Sequence, residues 1–84
     1  MSTVKKVFLG IDSVATGKRI HDLMKCKGLS MKAVSEEVLV SQQSVWKWCR
    51  GQTVPSLDNM VILSRILGVP MDDIIVVNEN IEIR

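Results

Sequence analysis

The chain has 84 residues, 46% of them hydrophobic and 4% aromatic, with 11 Lys and Arg against 9 Asp and Glu for a net charge of +2. That length holds one small domain, which buries only about 60–65% of the surface its unfolded form exposes. No apolar run approaches the ~18 residues of a membrane span, VKKVFLGI is too short and lacks the small-residue cleavage site of a signal peptide, and no paired carboxylates, nucleophile–histidine pair or phosphate loop points to catalysis.

The expectation is a soluble, cytoplasmic protein that is not an enzyme and has no catalytic residues, cofactor or metal. His21 is the only histidine, and Cys26 and Cys49 stand far apart with no CxxC or HxxxH spacing. Zinc is therefore disfavoured, and two buried thiols acting as small hydrophobes is the simpler reading. The charge is uneven. Residues 17–51 carry Lys18, Arg19, Lys25, Lys27, Lys32, Lys47 and Arg50 against Asp22, Glu36 and Glu37, a net +4; the remainder carries Lys5, Lys6, Arg65 and Arg84 against six acids, a net −2. A basic half beside an acidic one fits an oriented polyanion-binding face, although a solvated surface produces the same count.

In chain order, Val4 to Ile11 alternates, with Val7, Leu9 and Ile11 on one side, and reads as a strand. Helix 1 is expected from about Val14 to Lys27, capped by Asp12 or Ser13, with Ile20, Leu23 and Met24 inward and Gly28 as the stop. Helix 2 runs from Met31 to Val38 and helix 3 from Gln42 to Arg50, each opened by a serine N-cap, Ser30 and Ser41. Leu29 with Val34, and Val40 with Val45, have hydrophobic-staple spacing. Gln52 to Pro55 is a loop. Ser56 caps helix 4, from Leu57 to about Leu67, and Gly68 stops it. Pro70 suits the first turn of a short helix 5, with Asp72 and Asp73 at its positive end and Ile74 and Ile75 buried. Val76 to Arg84 is β-branched and reads as a second strand, with Asn78 to Asn80 as a turn. The two tails are expected to pair, within one chain or across a dimer. The rival is an N-terminal arm laying Lys5 and Lys6 on DNA; Val7, Phe8 and Leu9 are too apolar to favour it.

Two short helices joined by about three residues form a helix-turn-helix, whose second helix enters the DNA major groove. On a wheel of about 100° per residue, Val45, Trp48 and Cys49 share one side of helix 3, leaving Gln42, Gln43, Ser44, Trp46 and Lys47 outward. A glutamine amide donates and accepts at once, so it matches N6 and N7 of adenine; Ser44 can bond a base edge, Lys47 guanine, and Trp46 can supply apolar contact. These five are the candidate base-reading residues. Lys32, Arg50, Gln52 and Thr53 flank them as candidate phosphate contacts, and Lys18 and Arg19 either reach the backbone or merely solvate helix 1. An ordinary polar face would also contain Gln-Gln-Ser; an exposed Trp46 favours a contact surface.

From Gly17 to Ile75 the chain resembles the Cro/C1-type (XRE-family) helix-turn-helix domains of bacterial and phage repressors. The resemblance rests on GLS at 28–30, Val40-Ser41, W-x-R-G from Trp48 to Gly51, Pro55-Ser56, the helix 4 pattern and LGV at 67–69; Gln42-Gln43-Ser44 is similar to the recognition helix of some lambdoid phage repressors. It implies an all-α, compact five-helix bundle with a lambda-repressor-like fold; the length gives a single domain over 1–84, divided into a helix-turn-helix core of 14–76 and terminal extensions of 1–13 and 77–84. It also implies binding to double-stranded operator DNA, usually as a homodimer on a palindromic site. Three departures stand out: Met31 replaces a common glutamine, Leu39 replaces the usual turn glycine, and Met24 with Cys49 replaces an arginine–glutamate pair. A left-handed Leu39 would cost about 1–2 kcal/mol, so a differently built turn is the alternative. The double change reads as a joint replacement, because losing both partners of a buried pair can be neutral while losing one is not; Met24 should therefore touch Cys49. The expected function is sequence-specific transcriptional regulation, as a repressor. The alternative is a small antitoxin or antirepressor that keeps the fold and works through a protein partner, motivated by the aliphatic tails. Ile62 and Ile66 on helix 4, with Ile74, Val76, Ile81 and Ile83, give more aliphatic surface than a five-helix core needs; either the tails cover it internally or it forms a homodimer interface through helix 5 and the tails.

Overall fold

The computed structural model describes the backbone of residues 4–83 and the side chains of residues 10–78. In chain order it runs β1 (Val4–Ile11), α1 (Ser13–Lys27), α2 (Met31–Val38), α3 (Gln42–Cys49), α4 (Leu57–Leu67), a 3-10 turn (Met71–Asp73) and β2 (Val77–Ile83). All four α-helices begin on a side chain that accepts a first-turn amide. Asp12 takes that of Ala15, Ser30 that of Ala33, Ser41 that of Ser44 and Ser56 that of Asn59, at 3.0–3.2 Å. Each such cap contributes about 1 kcal/mol.

Packing follows from the apolar stripes these caps orient. Ile20 and Met24 of α1, Val34 and Val38 of α2, Val45 and Trp48 of α3, and Met60, Leu63 and Leu67 of α4 form one core with Ile74. Leu23 and Cys49 pack against it from partly buried positions. The α1–α3 crossing is unusually close. A Cβ on Gly17 would overlap the carbonyl oxygen of Trp48 and stand 3.0 Å from that of Cys49. Gly51, at φ +73, brings its backbone so near α1 that a Cβ would lie 2.6 Å from the Cα of Val14. The C-terminal end of α3 is thus clamped to α1 by two positions without side chains.

The expected fifth helix is replaced by the 3-10 turn, so the described residues form four α-helices. Pro70, Asp72 and Asp73 do start a helical turn, but the run Ile74-Ile75-Val76-Val77 is β-branched and loses side-chain freedom in a helix. Buried Thr16 completes the diversion. Its hydroxyl accepts from the Val76 N–H at 2.9 Å and donates to the Val76 carbonyl at 3.4 Å, while the Asp12 N–H donates to that carbonyl at 2.8 Å. Ile74 still fills the core, fully buried.

Beyond Val76 the tails pair within the chain. β1 and β2 are antiparallel, from Ile11 opposite Val77 to Val4 opposite Ile83, with a bulge between Phe8 and Gly10. The expected turn at Asn78 to Asn80 is therefore absent: these residues continue the strand opposite Gly10, Phe8 and Val7. Arg84, the last residue of the expected strand, lies outside the described residues. The ribbon lengthens the molecule to 52 × 23 × 21 Å.

Gly17→Ala should lower stability by about 1–3 kcal/mol, the usual cost of overpacking, read as an earlier urea midpoint with an unchanged slope. An unaltered midpoint would contradict the close α1–α3 crossing.

Candidate nucleic-acid interface

The α2–α3 turn keeps its compact form without a glycine. Leu39 adopts the left-handed conformation, φ 64 and ψ 46, and its N–H donates to the Ser35 carbonyl. Val40 donates to the same oxygen at 3.0 Å, and Ser41 then caps α3. The turn is thus not built differently; Leu39 accepts the strain, with a side chain 88% exposed that gains little burial in return.

With its inner face taken by Val45 and Trp48, α3 turns its remaining residues outward. Gln42 and Gln43 are exposed in its first turn, with no side-chain hydrogen bond to the protein among those described. Ser44 is half-buried, its hydroxyl 2.9 Å from that of the Ser41 cap. Lys47 is half-buried one turn after Gln43, on the same side because residues four apart share a helix face. Arg50 is exposed at the C-cap, and Gln52 and Thr53 are exposed in the following loop. Lys32 is exposed in the first turn of α2, where free helix amides also favour anions.

Trp46 departs from the other outward residues. It is 40% exposed, and the Arg50 guanidinium lies over its ring, 5.3 Å from the centroid. Both line an open groove of about 310 Å³ with Lys18 and His21 of α1, Met31 at the start of α2, and Cys49. Sequence reasoning missed His21 in this role. Its one signal is the spacing of Lys18 and His21, which shares a helix face, but nothing local says that this face meets Trp46. Arg19 turns elsewhere and donates to the Asp73 carbonyl at 3.2 Å, holding the 3-10 turn.

The substituted charge pair is in contact: the Cys49 thiol lies 4.0 Å from the Met24 sulfur. Burial pushes the Cys49 thiol upward from its ordinary pKa, because the thiolate loses hydration there. Cys26 is not buried as expected but exposed, because two residues beyond buried Met24 it falls on the opposite side of α1. No cluster of three metal-ligating side chains occurs among the described residues, and none of their helices is long and apolar enough to cross a membrane.

The Helix-turn-helix family model matches residues 20–74, most of the chain and all of α2 and α3. The chain belongs to the Cro/C1-type helix-turn-helix family of DNA-binding transcription regulators. Several solved members of the Cro/C1 type are similar. The restriction-modification controller protein C.AhdI from Aeromonas hydrophila is 28% identical, with a TM-score of 0.70 over 75% of this chain and 96% of its own. The P22 c2 repressor, in complex with a synthetic operator, is 30% identical, with a TM-score of 0.65 over 68% of this chain and 86% of its own. SinR, a master regulator for biofilm formation solved in complex with DNA, is 26% identical, with a TM-score of 0.62 over 68% and 92%. No curated protein matches the sequence.

Two outcomes follow from this Cro/C1-type site. Leu39→Gly should raise stability by about 0.5–1 kcal/mol in urea denaturation, since relief of ~1–2 kcal/mol of left-handed strain exceeds the added chain entropy of glycine; a loss would contradict the strained turn. At neutral pH a thiol reagent should modify exposed Cys26 well before Cys49, because only the thiolate reacts; mass mapping that finds Cys49 modified first would contradict the burial described.

Proposed function

We propose that this protein is a sequence-specific transcriptional regulator, a repressor, that reads the major groove with α3. The observation that carries the reading is the outward pair Gln42 and Gln43 at the exposed start of α3, above the buried Val45 and Trp48. An amide pair at the tip of a recognition helix can hydrogen-bond adenine in the major groove. Ser44 and Lys47 extend the base-reading set, although the hydroxyl of Ser44 is shared with its cap. Lys32, Arg50, Gln52 and Thr53 grip phosphates on either side. The operator bound to the P22 c2 repressor supports a similar target here.

The working form is a homodimer on a palindromic site, its two copies of α3 one DNA turn, about 34 Å, apart. Residues 14–76 form the DNA-binding core, and the extensions 1–13 and 77–84 serve association. Two features support this. Leu57 is 71% exposed on α4, with Val61 and Ile62 exposed beside it, more apolar surface than isolated exposure explains. The two-stranded ribbon also gives the chain a radius of gyration of 14.9 Å against about 12 Å for a compact domain of this length, and a lone pair of strands is marginal in water.

Selection from randomised duplexes at two salt concentrations tests the reading. Gln43→Ala should cost about 1–3 kcal/mol and relax one base position, while Lys32→Ala should weaken every sequence alike and reduce the salt slope by about 1. Identical behaviour of the two variants contradicts direct readout. A solution mass equal to the 9.4 kDa monomer in the DNA-free and bound states contradicts the dimer, and co-purification of a stoichiometric partner without salt-sensitive DNA binding favours an antitoxin or antirepressor role instead.

A further inference from the structure

We propose that the groove between α1 and α3 seats one phosphate of the DNA backbone with its deoxyribose, and that Trp46 belongs to this seat and not to the base-reading set. The inference rests on the regulator reading above and adds Lys18, His21 and Trp46 to its backbone contacts.

The lining is suited to such a unit. Lys18, His21 and Arg50 supply nitrogen donors, Trp46 and Met31 an apolar wall, and no carboxylate lines the groove. A backbone phosphate with its sugar is an anion joined to a weakly polar ring, so donors beside an indole complement both parts. Asp22 lies in the adjoining groove, with Ala15, Lys18, Arg19 and Val76, which makes that neighbour a poorer anion seat.

The Trp46–Arg50 stack sharpens the seat. A guanidinium held over an indole keeps its donor edge free and loses less side-chain entropy when it meets a phosphate. Met31 opens α2, whose first amides add positive potential at that end of the groove. Trp46 stands four residues after Gln42, so the groove adjoins the reading face along one side of α3. A duplex seated with Gln42 and Gln43 in its major groove brings the bordering phosphates alongside that face. Trp46, turned toward Lys18 and His21 of α1, meets the strand there and not a base edge.

The test uses the duplex recovered by selection, with single phosphates replaced one at a time by neutral methylphosphonates. Wild type should lose affinity at several phosphates per half-site, and by about tenfold, the scale of a charged hydrogen bond, at the one beside this groove. Lys18→Ala, His21→Ala and Arg50→Ala should each weaken binding, lower the salt slope by up to about 0.9, and remove the sensitivity at that phosphate while leaving it elsewhere. Trp46→Phe and Trp46→Ala should weaken all sequences alike with unchanged base preference; the three α1 and C-cap substitutions are at exposed positions and keep the test valid if Trp46→Ala folds poorly. Sequence-selective binding in which Lys18→Ala and His21→Ala retain the wild-type affinity and phosphate profile overturns this inference alone. A Trp46 variant with an altered preferred base does the same. A wild-type protein that selects no duplex overturns the regulator reading, and the phosphate seat with it.

Discussion

The α1 backbone at Gly17 lies directly against the carbonyl groups that end α3, and the orientation of every outward residue on α3 follows from that contact. Any side chain at Gly17 would overlap the Trp48 carbonyl, and one at Gly51 would strike Val14. With both positions bare, the last turn of α3 sits on α1 while Val45 and Trp48 fill the core. The Ser41 cap fixes the other end of the helix. A helix held at both ends and along one face has little freedom to roll, so Gln42 and Gln43 project from a rigid element, as precise recognition requires.

That rigidity coexists with substitutions that redistribute its cost. Leu39 keeps the left-handed turn at the expense of strain, and the hydrogen bonds from Leu39 and Val40 to the Ser35 carbonyl help hold it there. Met24 and Cys49 place two soft sulfur groups side by side where the resembling family often has an ion pair. Sulfur contacts tolerate irregular packing, and a pair without charge has no desolvation to repay. Beside this pair Arg50 lies over the Trp46 ring, and both line the groove with Cys49.

Much of this architecture is legible in the sequence because its signals are local. Serine caps at 30, 41 and 56 and glycine stops at 28 and 68 mark the helices, and alternation marks Val4–Ile11 as a strand. The helix expected after Pro70 is only a 3-10 turn: its start resembles many helix starts, while the hydrogen bonds that pull Val76 away come from Thr16 and Asp12, more than 50 residues earlier. Asn78 and Asn80 have turn composition, but pairing with β1 overrides it. In the interface, the outward glutamines follow from helix periodicity. The groove does not, because it exists only where α1 meets α3: Gly17 reads along the chain as a weak helix former and reveals its purpose only against Trp48. The turn of Trp46 toward His21 is hidden for the same reason.

The exposed side of α3, held by α1, is the proposed surface for duplex DNA. Backbone amide shifts followed while a selected duplex is titrated into the labelled protein test it most directly. The account predicts the largest changes at residues 30–32 and 42–47, with α4 responding weakly at Leu57–Ile62 unless association changes with binding. Shifts concentrated on α4 or the ribbon, with Gln42 and Gln43 unmoved at saturation, would contradict it.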